Sequence, residues 1–253
     1  MKRMSKYKLV IISTLLVFSL TVSAKDYKAS LFGVKSDGTT LNTGSIQYAI
    51  DYISENGGGR LVFYVGRYLT GSFYLKPNVT IQLEEGAVLV GFHSVYDYFE
   101  ANGTKALILA DTIENIGITG KGVIEGNGHA VLKSIEEQIG KGYLDAGQLQ
   151  AKPALINFNA CSNVTLDEIV LRDACGDVQV YSGCKKVKIN NITVESTSLP
   201  DSKGIVISGC NGFTLSDSYF ETSGTELSSN NTSKDVSVSG AVNSKGKKIK
   251  AAK

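Results

Sequence analysis

The chain has no tryptophan, three prolines and two histidines among its 253 residues. His93 and His129 stand apart, with no second ligand at metal-binding spacing, so no metal site is expected and no cofactor is implied. An excess of charge of one sign is lacking too. Twenty-six Lys and Arg against 24 Asp and Glu leave +2, too little to grip nucleic acid by electrostatics. The one long apolar run, Leu9 to Leu20, is shorter than a bilayer crossing requires, so no membrane span is expected. Four cysteines are too few for a disulfide scaffold, and a hydrophobic share of 42% is ample for a core.

What is present begins with an address. Met1 to Lys8 carries Lys2, Arg3, Lys6 and Lys8 and no acid, and Thr21-Val22-Ser23-Ala24 follows the apolar run with small residues. That order predicts a secretory signal cleaved near Ala24 and a secreted or periplasmic protein. The mature part, slightly acidic without its basic leader, is expected to form one domain over 25–240 and a basic polar tail over 241–253. A monomer is expected.

Four segments then align: Asn163-Val164-Thr165-Leu166, Lys186-Val187-Lys188-Ile189, Gly212-Phe213-Thr214-Leu215 and Asp235-Val236-Ser237-Val238. Their apolar lead residues are 23, 26 and 23 apart, and Asn78-Val79-Thr80-Ile81 and Asn115-Ile116-Gly117-Ile118 are weaker copies. Apolar residues alternate within each copy, the period of a half-buried strand. A strand repeated at this interval predicts a right-handed parallel β-helix, an all-β solenoid whose coils bury their inward faces only by stacking. Cys161, Cys184 and Cys210 each stand three residues before a lead, which predicts a stack of buried thiols, with Cys175 outside it.

A solenoid needs covered ends. Ile46, Ala49, Ile50 and Ile53 form the stripe of an amphipathic helix over 43–56, with Thr43 as N-cap and Gly57-Gly58-Gly59 as its stop. This helix is expected to cap the N-terminal end. Residues 129–152 interrupt the repeat and read as an inserted loop with a single helical turn. The tail after Val238 offers nothing to cover the last coil.

The pieces Phe32-Gly33-Val34, Ile46-Gln47-Tyr48-Ala49-Ile50, Gly66-Arg67-Tyr68-Leu69-Thr70-Gly71-Ser72, Leu83-Glu84-Glu85-Gly86-Ala87 and Gly122-Val123-Ile124-Glu125-Gly126-Asn127-Gly128 carry a resemblance. With the coils from Pro153 to Phe220 they resemble the pectin-degrading polygalacturonases, family 28 of the glycoside hydrolases. The resemblance implies a β-helix that hydrolyses galacturonate chains with inversion, one carboxyl protonating the leaving oxygen and another activating water. It implies a pectic polysaccharide as partner. The family's Asn-Thr-Asp, Gly-Asp-Asp and Gly-His-Gly motifs are not matched. Asp201-Ser202-Lys203 precedes Gly204, and Ser223-Gly224-Thr225 follows Thr222. Lys248-Ile249-Lys250 faintly echoes the family's Arg-x-Lys.

Counting ten residues back from Val187, Phe213 and Val236 reaches Asp177, Lys203 and Glu226, which predicts one column with Lys203 between two carboxylates. Asp177, Asp201 and Glu226 are therefore the candidate catalytic residues, and Lys203 and Arg172 the candidates for binding an anionic sugar. A lyase, abstracting a proton beside a uronate carboxylate, would draw on Arg172, Asp173, Asp177, Asp201 and Lys203. A non-catalytic sugar-binding relative and a truncated remnant of a hydrolase are the other readings.

Overall fold

The computed structural model describes residues 25–250, so the predicted signal over 1–24 lies outside the described residues. The chain winds through three parallel sheets in turn. The first sheet runs from Asp26–Lys28 through Gly59–Phe63, Val79–Leu83, Glu114–Thr119, Ser162–Asp167, Lys185–Asn190 and Asn211–Ser216 to Lys234–Ser239. The second begins at Asp37–Leu41 and ends at Val242–Asn243, and the third runs from Phe73–Tyr74 to Leu227–Ser229. This is the parallel β-helix expected from the repeat.

The register matches the sequence alignment. Val164 pairs with Val187, Val187 with Phe213, and Phe213 with Val236. Two residues on, Ile81, Ile118, Leu166, Ile189 and Leu215 form a continuous inward row with no exposed surface. Each such side chain contributes about 1.5–3 kcal/mol by leaving water, but only because the next coil covers it. The residue before each lead (Asn78, Asn115, Asn163, Lys186, Gly212 and Asp235) has left-handed backbone, which turns the chain into the strand. Asparagine tolerates that conformation, and here it also bonds along the stack: Asn163 Nδ2 donates to Asn115 Oδ1 and Asn115 Nδ2 to Asn78 Oδ1, both at 2.9 Å.

Cys161, Cys184 and Cys210 are buried, unbridged and stacked: the backbone N–H of Lys185 donates to Cys161 O and that of Asn211 to Cys184 O. The Cys184 thiol, sharing hydrogen bonds with both neighbours and shielded from water, is held protonated well above its ordinary range. Cys175 lies outside the row, and burial pushes its thiol up to about 12. This burial suits packing rather than reactivity.

Three expectations need correction. The cap helix α1 spans Thr43–Glu55 with Ile46, Ala49, Ile50 and Ile53 buried as predicted, but Asn42, not Thr43, is its N-cap residue. Thr43 Oγ1 instead accepts from Gly71 N–H at 2.7 Å. The insertion is no single turn. Helix α2 covers Gly128–Gly140 and buries Val131 and Ile135, an i, i+4 pair extended by Ile139. The end of the chain also folds back, since Val242 bridges Lys248 in antiparallel fashion and Ile249 N–H donates to Ala241 O at 3.0 Å. That turn packs Ile249 against the core at the last coils.

Candidate functional site

The outer face of the third sheet is the most site-like surface. Its strands Gln179–Ser182, Ile205–Ser208 and Leu227–Ser229 stack Val180 on Val206 on Ser228. Ser182 and Ser208 form a polar row beside them, and Asn230 Nδ2 donates to Ser208 Oγ at 2.7 Å. On the other side lie Asp177 and Lys203, at the turns entering the strands. An apolar strip between hydrogen-bonding rows suits a pyranose, whose ring faces are apolar and whose edge carries hydroxyls.

Asp177 is half-buried, and its Oδ1 accepts the backbone N–H of Lys203 at 3.0 Å. It lines a cavity of about 380 Å³ with Glu100, Lys105, Gln148 and Lys152. Glu226 lies in a second hollow, of about 570 Å³, with Asn243, Lys247, Lys248 and Lys250. Asn243 Nδ2 donates to Glu226 Oε1 at 2.7 Å. That bond, helped by Lys247 and Lys245 and only partly opposed by burial, holds the Glu226 carboxyl below its usual range, so it stays ionised. Gly204 makes the close stacking possible, because a Cβ there would meet Glu226 O at 2.6 Å and the Phe220 ring at 2.7 Å.

The predicted column is off by one residue. Gln179 pairs with Ile205 and Ile205 with Leu227, so Thr225, not Glu226, continues the row of Asp177 and Lys203. Glu226 is level with Val178 and Gly204. The cause is the turn Asn231-Thr232-Ser233, which holds one residue more than Gly183-Cys184 and Gly209-Cys210 in the coils before. Counting ten back from the first sheet therefore stops one residue short in the third.

The other candidates are elsewhere. Asp201 occupies an exposed left-handed turn and lines neither hollow. Arg172 lies on the second sheet, where its guanidinium holds Glu125 at 2.6 Å in a hollow with Asp173, Glu195 and Glu221. The five residues of the lyase reading are thus divided between two faces. Among the described residues no group of three or more His, Cys, Asp or Glu is placed to share a metal ion, and no helix is long and apolar enough to cross a membrane.

Glu100, Lys105, Gln148 and Lys152 were not singled out by the sequence reading. A signal for the first two existed. Asn102-Gly103, both with positive φ, is the dipeptide of a tight hairpin, and it joins Phe99–Ala101 to Thr104–Asp111 in antiparallel pairing.

Three parallel sheets wound in turn by one chain define the class of parallel β-helix proteins. The profile of the glycosyl hydrolases family 28 matches residues 68–250, and the chain belongs to that family. A solved protein of Parabacteroides merdae classed with the glycosyl hydrolases is 48% identical, with a TM-score of 0.85, over 88% of this chain and 100% of that one. The exo-poly-α-D-galacturonosidase of Dickeya chrysanthemi is 32% identical over 47% of this chain and 22% of its own length. A probable polygalacturonase of Vitis vinifera is 27% identical over 78% of this chain and 43% of its own length. The chain thus spans less than half the length of these two curated relatives.

Proposed function

We propose that the protein is an exported glycoside hydrolase of galacturonate-type, anionic polysaccharide, with the outer face of the third sheet as its active groove. The observation that carries this reading is Asp177, half-buried on that face, with its Oδ1 accepting the backbone N–H of Lys203 and its side chain lining a cavity with Lys105 and Lys152, in a chain whose residues 68–250 match the family profile. Asp177 takes the proton of the attacking water, the departing glycosidic oxygen takes its proton from solvent, and Lys203 pairs with the sugar carboxylate. Glu226, bonded to Asn243 of the second sheet at the last coil, stands outside this groove. The signal-like residues 1–24 support action outside the cytoplasm.

A second reading is a non-catalytic pectin-binding protein. It is favoured by the row Asp177, Lys203, Thr225, which brings no two carboxylates onto adjacent coils. The two readings separate in one assay of the mature chain, reducing-end release from polygalacturonate. Hydrolysis predicts release that falls about 10²–10⁴-fold in Asp177→Asn and stays near the parental rate in Glu226→Gln. Binding of the polymer without release by the parent establishes the second reading, and neither release nor binding removes both.

A further inference from the structure

A hollow of about 400 Å³ lies between helix α2 and the short turn Val95–Asp97, and it shares no residue with the cavity of Asp177. Ala130, Lys133, Ser134, Glu137 and Gln138 form its helical wall, at the i, i+3, i+4, i+7, i+8 positions of one helix face. Val131, Ile135 and Ile139, on the neighbouring face, are the residues that pack on the core. The opposite wall is His93, Ser94 and Tyr96. Val95 between them is buried, and its N–H donates to Ser134 Oγ at 3.2 Å, which ties the two walls together.

Tyr96 is 57% exposed, an unusual placement for a ring of its size, yet it is not loose. Its hydroxyl donates to Gln138 Oε1 at 3.2 Å, which tethers the phenol and leaves Gln138 Nε2 available to donate elsewhere. His93 gives the same wall a second flat ring, packed on Phe92 with centroids 4.3 Å apart. Lys133 Nζ stands 3.9 Å from Glu137 Oε1, so the two charges of the helical wall offset one another. An exposed pair of this kind adds little to stability, and both groups can turn to a ligand. The Asp177 cavity differs, since Lys105 and Lys152 give it an excess of positive charge near the acid.

We propose that this hollow is a second carbohydrate site, separate from the groove, and that it takes a neutral pyranose unit. The apolar face of the sugar lies on the Tyr96 ring, while its hydroxyls meet Gln138 Nε2, Ser134 Oγ and the Glu137 carboxylate. Those groups supply both donors and acceptors, which a ring of hydroxyls requires. The tethered phenol is ordered before the ligand arrives, so little side-chain freedom is lost on binding. A hollow whose charges cancel favours a neutral sugar over a uronate. Binding here does not require the groove to be catalytic. Loss of the aromatic face removes about 0.5–1.5 kcal/mol beyond the buried area, which with that area weakens binding by about tenfold.

The test is a titration of the ¹⁵N-labelled mature protein, followed by amide chemical shifts, with methyl β-D-galactopyranoside, methyl α-L-rhamnopyranoside and sodium galacturonate to tens of millimolar. Saturable shifts at residues 93–96 and 130–138 with at least one of the two neutral sugars are the expected result. Affinity should fall about tenfold in Tyr96→Ala and stay within a few-fold of the parent in Tyr96→Phe, which keeps the ring. Galacturonate should leave these residues unmoved, whatever it does at the Asp177 cavity. No saturable shift there with either neutral sugar would overturn the site, and parental affinity in Tyr96→Ala would overturn the stacking. Tighter binding of galacturonate at the same residues would overturn the neutral class. Unchanged amide shifts away from the hollow show that each variant is folded, so a loss of binding is a loss of recognition.

Discussion

The second and third sheets present opposite solutions to exposed charge. On the second, Glu125, Arg172, Glu195 and Glu221 stand in register on successive coils, and Glu125 is clamped by Arg67 at 3.0 Å and Arg172 at 2.6 Å. On the third, Lys105 and Lys152 line the Asp177 cavity, yet Asp177 accepts only the backbone N–H of Lys203, and Lys105 donates to the neutral Gln148. Charges in register on adjacent coils, about 4.8 Å apart, neutralise one another where their signs alternate. On the second face the Glu125 carboxylate and both arginines are satisfied within the protein. The third leaves its cations for something else, which is why the functional reading sits there and not in the Arg172 hollow.

What the two faces share is the interior, and breaking it gives the largest effect on stability. Phe213 is fully buried, with its ring 5.7 Å from that of Tyr181. Phe213→Ala should cost about 3–5 kcal/mol in denaturant unfolding and lower the stability of both faces together. Retention of parental stability would mean that the stacked coils do not depend on one another as the register implies.

The next effect should be confined to the second face. Glu125→Gln leaves Arg67 and Arg172 without their carboxylate and should cost about 1–3 kcal/mol while leaving polygalacturonate binding intact. Burial raises the Glu125 pKa, but hydrogen bonds from Arg172 and Arg67 outweigh it and the net shift is downward. A depressed folded-state pKa means stability fully present above the unfolded value of about 4.3 and lost as pH falls through the folded one. Thermal unfolding followed from neutral to acid pH should therefore show a shallower loss in the Gln variant. A parallel loss in the two proteins would place the acid-sensitive group elsewhere.

The smallest change sharpens the contrast. Glu195 and Glu221 are exposed, like-charged and in register. Glu195→Gln should raise stability by a few tenths of a kcal/mol, most visibly at low salt. A clear loss instead would show that Arg172 depends on Glu195 as well as on Glu125.

Much of the coil architecture was legible from the residues. The leads Val164, Val187, Phe213 and Val236 stack as aligned, the thiol row is where its spacing placed it, and Ile46, Ala49, Ile50 and Ile53 cap the end. The failures share a cause. Glu226 missed the row of Asp177 because one extra turn residue lay between the strand counted from and the strand predicted. Helix α2 was underestimated because Val131, Ile135 and Ile139 were read as a loop, although they have helical spacing. The hairpin at Asn102-Gly103 carried a recognisable turn signal, but nothing local indicates which surface it folds over.

The division follows from the range of the forces. Alternating apolar residues, a left-handed turn before each lead and like side chains at a common interval act within one coil or between neighbours, so the amino-acid order alone determined the solenoid and the row along its first sheet. Which charges share a groove, and where that groove ends, depends on turn lengths summed around the coil and on segments packing from outside it. Those are relations between residues distant in the chain, such as Asn157 with Ala101 or Lys105 with Gln148. Only the folded molecule brings them together.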